Sequence, residues 1–256
     1  MHSTPLPDPR LMPYESERIC APNEPLYTII NGSRNRLTYA YMKKCASQRR
    51  NLILLSRSKG DFRALGDYLK IKHKIQVEYL PLNIMNVKDV RLADLMIQKR
   101  GLSVNGIINV IGEDRADFPV NASYENRKVI LLRKFRAHLT LLRWFCTDLQ
   151  ANHPSMAVFS PYDGRTMEGY DRALLSYLQM LLQDANGQLK VLLQDSGVEF
   201  HNLPLIKFPK KSNEHQIIEK YGVGTLAVYY ENFVEDVWSK YNIDSGDFYR
   251  NWLGNN

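Results

Sequence analysis

Leu26-Tyr27-Thr28-Ile29-Ile30-Asn31-Gly32-Ser33-Arg34-Asn35-Arg36-Leu37-Thr38 sets a short apolar run against a polar turn that opens a helix-like segment. A second apolar phrase follows it, Asn51-Leu52-Ile53-Leu54-Leu55-Ser56-Arg57-Ser58. Strand, turn, helix and strand in that order begin a unit whose first turn, when rich in glycine, lets backbone amides close on a pyrophosphate. Here Gly32 is the one glycine left in the turn, and Arg34 and Arg36 stand inside it. The phrase reads as a nucleotide-binding framework with its phosphate loop rewritten.

Working outward, short apolar runs alternate with amphipathic stretches. The pattern predicts strands over Tyr27–Ile30, Leu52–Ser56, Ile75–Pro81, Gly106–Val110, Met156–Ser160 and Leu189–Leu193. Helices are expected over Leu37–Ser47, Asp61–Lys72, Val87–Lys99, Glu125–Leu149 and Met167–Gln183, with a last one over Val228–Lys240. Val90, Ala93, Met96 and Ile97 recur at helical spacing, as do Tyr170, Ala173, Leu174, Tyr177, Leu178 and Leu181. Strands alternating with helices argue for an α/β fold: a Rossmann-like, doubly wound parallel sheet with helices on both faces. Residues 1–25 read as an extended arm and 26–256 as a single domain, with a long loop over Phe200–Asn213.

The 256-residue chain, 44% hydrophobic, is long enough to bury a substantial core. No apolar run approaches the roughly 20 residues that span a bilayer, and the first 25 residues lack the apolar centre of a signal peptide. A cytoplasmic protein without a membrane partner is the expectation. Cys20, Cys45 and Cys146, odd in number and widely spaced, suit reduced thiols. His73, His138, His153, His201 and His215 have no ligand spacing with them, so no metal is expected.

The net charge of +7 is unevenly placed: Ser33 to Lys74 holds twelve Lys or Arg against Asp61 and Asp67, a local +10. Such a concentration suits a phosphorylated cofactor, an acidic protein or nucleic acid, or else is a solvated helix face. Tyr39, Tyr41, Phe62 and Tyr68 are too few to suggest single-strand stacking, which makes nucleic acid the least favoured partner.

These turns together resemble the short-chain dehydrogenase/reductase superfamily, and most of all the ketoreductase domain of modular polyketide synthases. Asn51-Leu-Ile-Leu-Leu-Ser-Arg-Ser58 is similar to that family's second strand, whose Ser-Arg pair receives the 2′-phosphate of NADPH. Leu80-Pro-Leu-Asn-Ile84 resembles its third-strand motif, and Gly106-Ile-Ile-Asn-Val-Ile-Gly112 its fourth strand and the turn under the cofactor. Phe159-Ser160-Pro161-Tyr162-Asp163-Gly164 is similar to the turn after the fifth strand, and Gly222-Val-Gly-Thr-Leu226 to the closing segment. The likeness covers roughly residues 26–240.

The resemblance implies NADPH as cofactor, held by Gly32, Ser33, Arg34, Arg36, Leu37, Arg57, Ser58, Asn83, Asn109 and Gly112. It implies catalytic roles for Tyr170, Lys134 and Ser160. In such a site a tyrosine hydroxyl gives its proton to the developing alkoxide, a nearby ammonium lowers the phenol's pKa, and a serine hydroxyl holds the carbonyl oxygen. It also implies partners among acyl carrier proteins or other synthase domains, with a homodimer compatible.

The departures are specific. Pro161, without a donor, stands where the family has its catalytic serine, and Ser160 is one residue early, which on a strand turns it to the opposite face. The turn from Ser160 to Tyr170 is shorter than the family's usual spacing. Leu174 stands where reductases carry a polar residue, and side chains fill the second and third glycine positions of the loop. Arg34 and Arg36 offer phosphate-pairing forks in exchange. Three readings result: a ketoreductase-like domain of impaired catalysis kept as a structural or docking part, an active NADPH-dependent reductase of a β-ketoacyl thioester or related carbonyl in which Tyr162 or Ser160 replaces the serine, and a basic module binding an acidic protein or nucleic acid.

Overall fold

The apolar runs close into one parallel sheet in this computed structural model, which describes residues 25–32, 36–56, 59–82, 84, 87–112, 123–152, 155–162 and 198–202, and residues 231, 232, 234, 235, 238 and 239. Strands β1 (Leu26–Asn31), β2 (Asn51–Leu55), β3 (Val77–Leu80), β4 (Ser103–Gly112), β5 (Ser155–Tyr162) and β6 (Val198–Asn202) lie in the order β3-β2-β1-β4-β5-β6. Helices α1 (Arg36–Ser47), α2 (Lys59–His73), α3 (Val87–Lys99), α4 (Tyr124–Trp144) and α5 (Cys146–Ala151) connect them. All five ladders are parallel. The chain therefore runs outward from β1 to β3, then crosses back to β4 on the other side of β1, which places the topological switch point between β1 and β4.

Both faces of the sheet are buried, because successive strand residues point to opposite sides and both sets are apolar. Ile30, Leu52, Leu54, Ile108, Val110, Met156 and Val158 pack with Leu37 and Tyr41 of α1, Phe62 and Leu69 of α2, and Val234 and Trp238. Tyr27, Ile29, Ile53, Leu55, Ile107 and Ala157 face Val90 and Ile97 of α3, Leu141 of α4 and Leu149 of α5. The doubly wound α/β fold expected from the pattern is the fold found.

The differences are local. The expected helix over Glu125–Leu149 is two helices, interrupted at Phe145 (φ −94°, ψ 8°), whose fully buried ring belongs to the second core. The sixth strand runs over Val198–Asn202, so the expected loop from Phe200 starts as an edge strand. The expected strand Leu189–Leu193 and helix Met167–Gln183 lie outside the described residues. Residues 231, 232, 234, 235, 238 and 239 are helical, within the last expected helix. No helix among the described residues is long and apolar enough to cross a membrane. No cluster of three or more His, Cys, Asp or Glu able to hold a metal occurs among them.

Candidate functional site

The carboxyl ends of β1 and β4 carry two buried amides in register, Asn31 and Asn109. Alternation along the strands turns both to the face covered by α3, α4 and α5, continuing the rows through Ile29 and Ile107. Asn31 Nδ2 donates to Asn109 Oδ1 at 3.2 Å, and Asn109 Nδ2 is fully buried without a hydrogen-bond partner among the described residues. A buried orphan donor is costly, so one held at the switch point marks a place where a polar group can be received. Asn109 was expected from the sequence; Asn31 was not, because its role depends on the register that sets it opposite Asn109.

Gly32 ends β1 beside them. A Cβ built on it would lie 2.7 Å from Thr38 Oγ1 and 3.1 Å from Val110 Cβ, so the turn has room for glycine only. Thr38, fully buried, fills the space against the bare Cα of Gly32. Arg36 opens α1, while the Leu37 side chain is fully buried in the first core.

Ser160 lies in the core. Its hydroxyl is fully buried and accepts a hydrogen bond from Tyr41 Oη of α1 at 3.0 Å. Tyr41 lies in turn against Trp238, with ring centroids 6.4 Å apart. Burial pushes the Tyr41 phenol well above its ordinary pKa, and the Ser160 hydrogen bond only partly opposes this. Ser160 continues the row of Met156 and Val158 beneath α1, whereas Lys134 belongs to α4, whose Ala137 and Leu141 pack on the other face. The sheet thus separates the two, and Ser160 serves as the core partner of a buried tyrosine. Nothing in the sequence around Ser160 marked Tyr41, 119 residues away.

Gly112 ends β4 opposite Tyr162 of β5. Ser33, Arg34, Arg57, Ser58, Asn83 and Tyr170 lie outside the described residues.

A parallel sheet of order 3-2-1-4-5-6, wound on both faces with a glycine turn at its switch point, is the Rossmann-like architecture of dinucleotide-binding proteins. The fold is shared with NADP-binding short-chain oxidoreductases. L-Sorbose reductase from Gluconobacter frateurii, solved with NADPH and L-sorbose, is 14% identical with a TM-score of 0.58, over 85% of this chain and 81% of that one. YwfH, an NADPH-dependent reductase involved in bacilysin biosynthesis, is 15% identical with a TM-score of 0.59, over 76% and 83%. An NADPH-bound short-chain oxidoreductase from Pseudomonas aeruginosa PAO1 with an atypical catalytic centre is 12% identical with a TM-score of 0.57, over 80% of each chain. No protein-family model and no curated protein matches the chain.

Proposed function

We propose that this chain is a ketoreductase-like protein of the short-chain dehydrogenase/reductase superfamily, from a polyketide or related biosynthetic pathway, with impaired catalysis and a retained structural or docking role. The observation that carries it is the hydrogen bond from Tyr41 to Ser160, which holds the serine hydroxyl in the core on the face away from α4. Pro161 cannot replace it, having no donor. The polyketide setting rests on the resemblance of the strand phrases, from Asn51–Ser58 to Gly106–Gly112, to that ketoreductase.

The residues present fit NADPH in kind. Gly32 keeps a bare Cα at the phosphate turn, and Asn109 keeps a free amide donor at the switch point. Arg34 and Arg36 would pair with the pyrophosphate as forks, and Arg57 and Ser58 would take the 2′-phosphate. When bound, the cofactor supplies a hydride. Titration of nicotinamide fluorescence, with NADH as control, tests the site, followed by assay on a β-ketoacyl thioester. The expected result is NADPH-selective binding with turnover far below the enzyme median of about 10 per second. Turnover near that median overturns the impaired reading.

A second reading is an active reductase with a remodelled centre. It draws on the Pseudomonas aeruginosa neighbour, an NADPH-bound oxidoreductase whose catalytic centre is atypical. It requires Tyr170→Phe to abolish turnover; unchanged turnover in that variant rejects it.

A further inference from the structure

Of the basic segment, two lysines are already satisfied within the chain. Lys43 pairs with Glu231, and Lys44 with Glu235 at 2.6 Å, while Lys44 Nζ also lies 5.9 Å from the centre of the Trp238 ring. The helical residues Glu231, Val234, Glu235 and Trp238 have the spacing i, i+3, i+4, i+7, with Val234 and Trp238 buried in the core between the carboxylates. These residues set carboxylates and apolar side chains against a basic helix face, the pattern by which amphipathic helices dock into grooves.

The surface continues onto α2 without such a cover. Lys70, Lys72 and Lys74 are exposed, and no acid pairs with any of them among the described residues. Cations in the last turn of a helix complement its dipole, which accounts for the charge alone. It does not account for Ile71 at 80% exposure or Tyr68 at 53%, adjacent on the same helix face, with Lys72 Nζ 5.4 Å from the Tyr68 ring centre. Beside them a groove of about 330 Å³ runs between α1, α2 and the acidic helical residues, with Tyr68, Leu69, Lys72 and His73 as its α2 wall.

We propose that this face of α2 docks an acidic amphipathic helix of a partner protein, its apolar side on Ile71 and Tyr68 and its carboxylates on Lys70, Lys72 and Lys74. The pairing of Glu231 and Glu235 with Lys43 and Lys44 on α1 is the same chemistry within the chain. Nucleic acid fits less well, since Tyr68 is the single exposed aromatic of this face among the described residues and an isoleucine offers no face for a base. Because α1 and α2 return from the carboxyl to the amino ends of parallel strands, their last turns lie at the edge of the sheet away from Gly32 and Asn109. The surface is therefore separate from the nucleotide site.

The test is fluorescence anisotropy with the full chain and a labelled acidic amphipathic helical peptide, a scrambled peptide of equal composition, and a single-stranded oligonucleotide. Saturable binding of the amphipathic peptide is expected, weakened about tenfold or more by Ile71→Glu and by Lys72→Glu and untouched by Arg91→Glu on α3. All three changes are at exposed positions, and circular dichroism together with NADPH titration, unchanged in each variant, separates loss of docking from loss of fold or of the cofactor site. Equal binding of the scrambled peptide, no effect of the α2 changes, or binding of the oligonucleotide alone overturns the proposal.

Discussion

Removing either half of the Tyr41–Ser160 hydrogen bond decides whether Ser160 is a structural residue. Both residues are fully buried, and the bond is 3.0 Å long. Ser160→Ala leaves the Tyr41 hydroxyl without the partner that it now has, and Tyr41→Phe does the same to Ser160. An orphaned buried polar group costs about 1–3 kcal/mol, so each single variant should lose about 2 kcal/mol. The ring of Tyr41 still packs on Trp238 in Tyr41→Phe, so little apolar contact is lost. The double variant removes both polar groups and should fall within about 1 kcal/mol of the parent. Independent effects would sum to about 4 kcal/mol, so a coupling of about 3 kcal/mol is expected, at the upper end for contacting residues. With a urea slope of about 3 kcal/mol per molar, each single variant lowers the midpoint by roughly 0.7 M and the double variant by roughly 0.3 M or less. Additive losses refute the reasoning. So does a Ser160→Ala protein of unchanged stability that has lost a reductase activity present in the parent, because that returns the serine to the reaction.

Other outcomes follow from neighbouring contacts. Gly32→Ala would press its methyl to 2.7 Å from Thr38 Oγ1 and should cost about 1–3 kcal/mol, with Thr38→Ala in the same chain restoring a good part; urea melts of the two singles and the double measure it. Trp238→Ala, emptying a fully buried site against Tyr41, should cost about 3–5 kcal/mol, whereas Glu231→Gln, breaking a solvent-exposed ion pair, should cost less than about 1 kcal/mol. Equal losses in those two melts would mean that charge, and not apolar burial, holds the acidic helical residues in place. Burial pushes the Cys45 thiol up to about 12, against the lowering pull of Arg50 and Lys44, and raises the Tyr41 phenol as well. Both groups are neutral when protonated, so their contribution is complete below the unfolded-state pKa and is lost as pH rises from there towards the folded value. Stability should therefore fall by about 1 kcal/mol per pH unit above pH 9 through Cys45 alone. Cys45→Ala should flatten that part of the profile in urea melts between pH 8 and 10, the range about the unfolded thiol's pKa.

The sheet was legible because its evidence is local. Apolar pairs such as Ile29-Ile30, Ile53-Leu54 and Ile107-Ile108 require burial on both faces, and amphipathic stretches between them require helices to supply it. The edge was harder to read. Val198-Glu-Phe-His-Asn202 has one strand neighbour among the described residues and a polar alternation, while the expected strand Leu189–Leu193 lies outside the described residues. The break at Phe145 was equally hidden, since the helical spacing of apolar residues continues across it and only the packing of Phe145 in the second core separates α4 from α5.

For the site, the material is written in the sequence: a turn with one glycine, two arginines, and Ser160 followed by Pro161 at the end of a strand. Period-two alternation is a property of the backbone, so the direction of Ser160 needed no tertiary information. What Ser160 meets there was decided only when α1 folded over the sheet and brought Tyr41 to it across 119 residues. Likewise, the Asn31–Asn109 pair exists because β1 and β4 are neighbours in one register, and the contact of Thr38 with Gly32 because α1 leaves the turn at one angle. Side-chain type and facing are written residue by residue, but partnership depends on strand order, register and helix placement, which the chain settles only by burying its apolar surface as a whole.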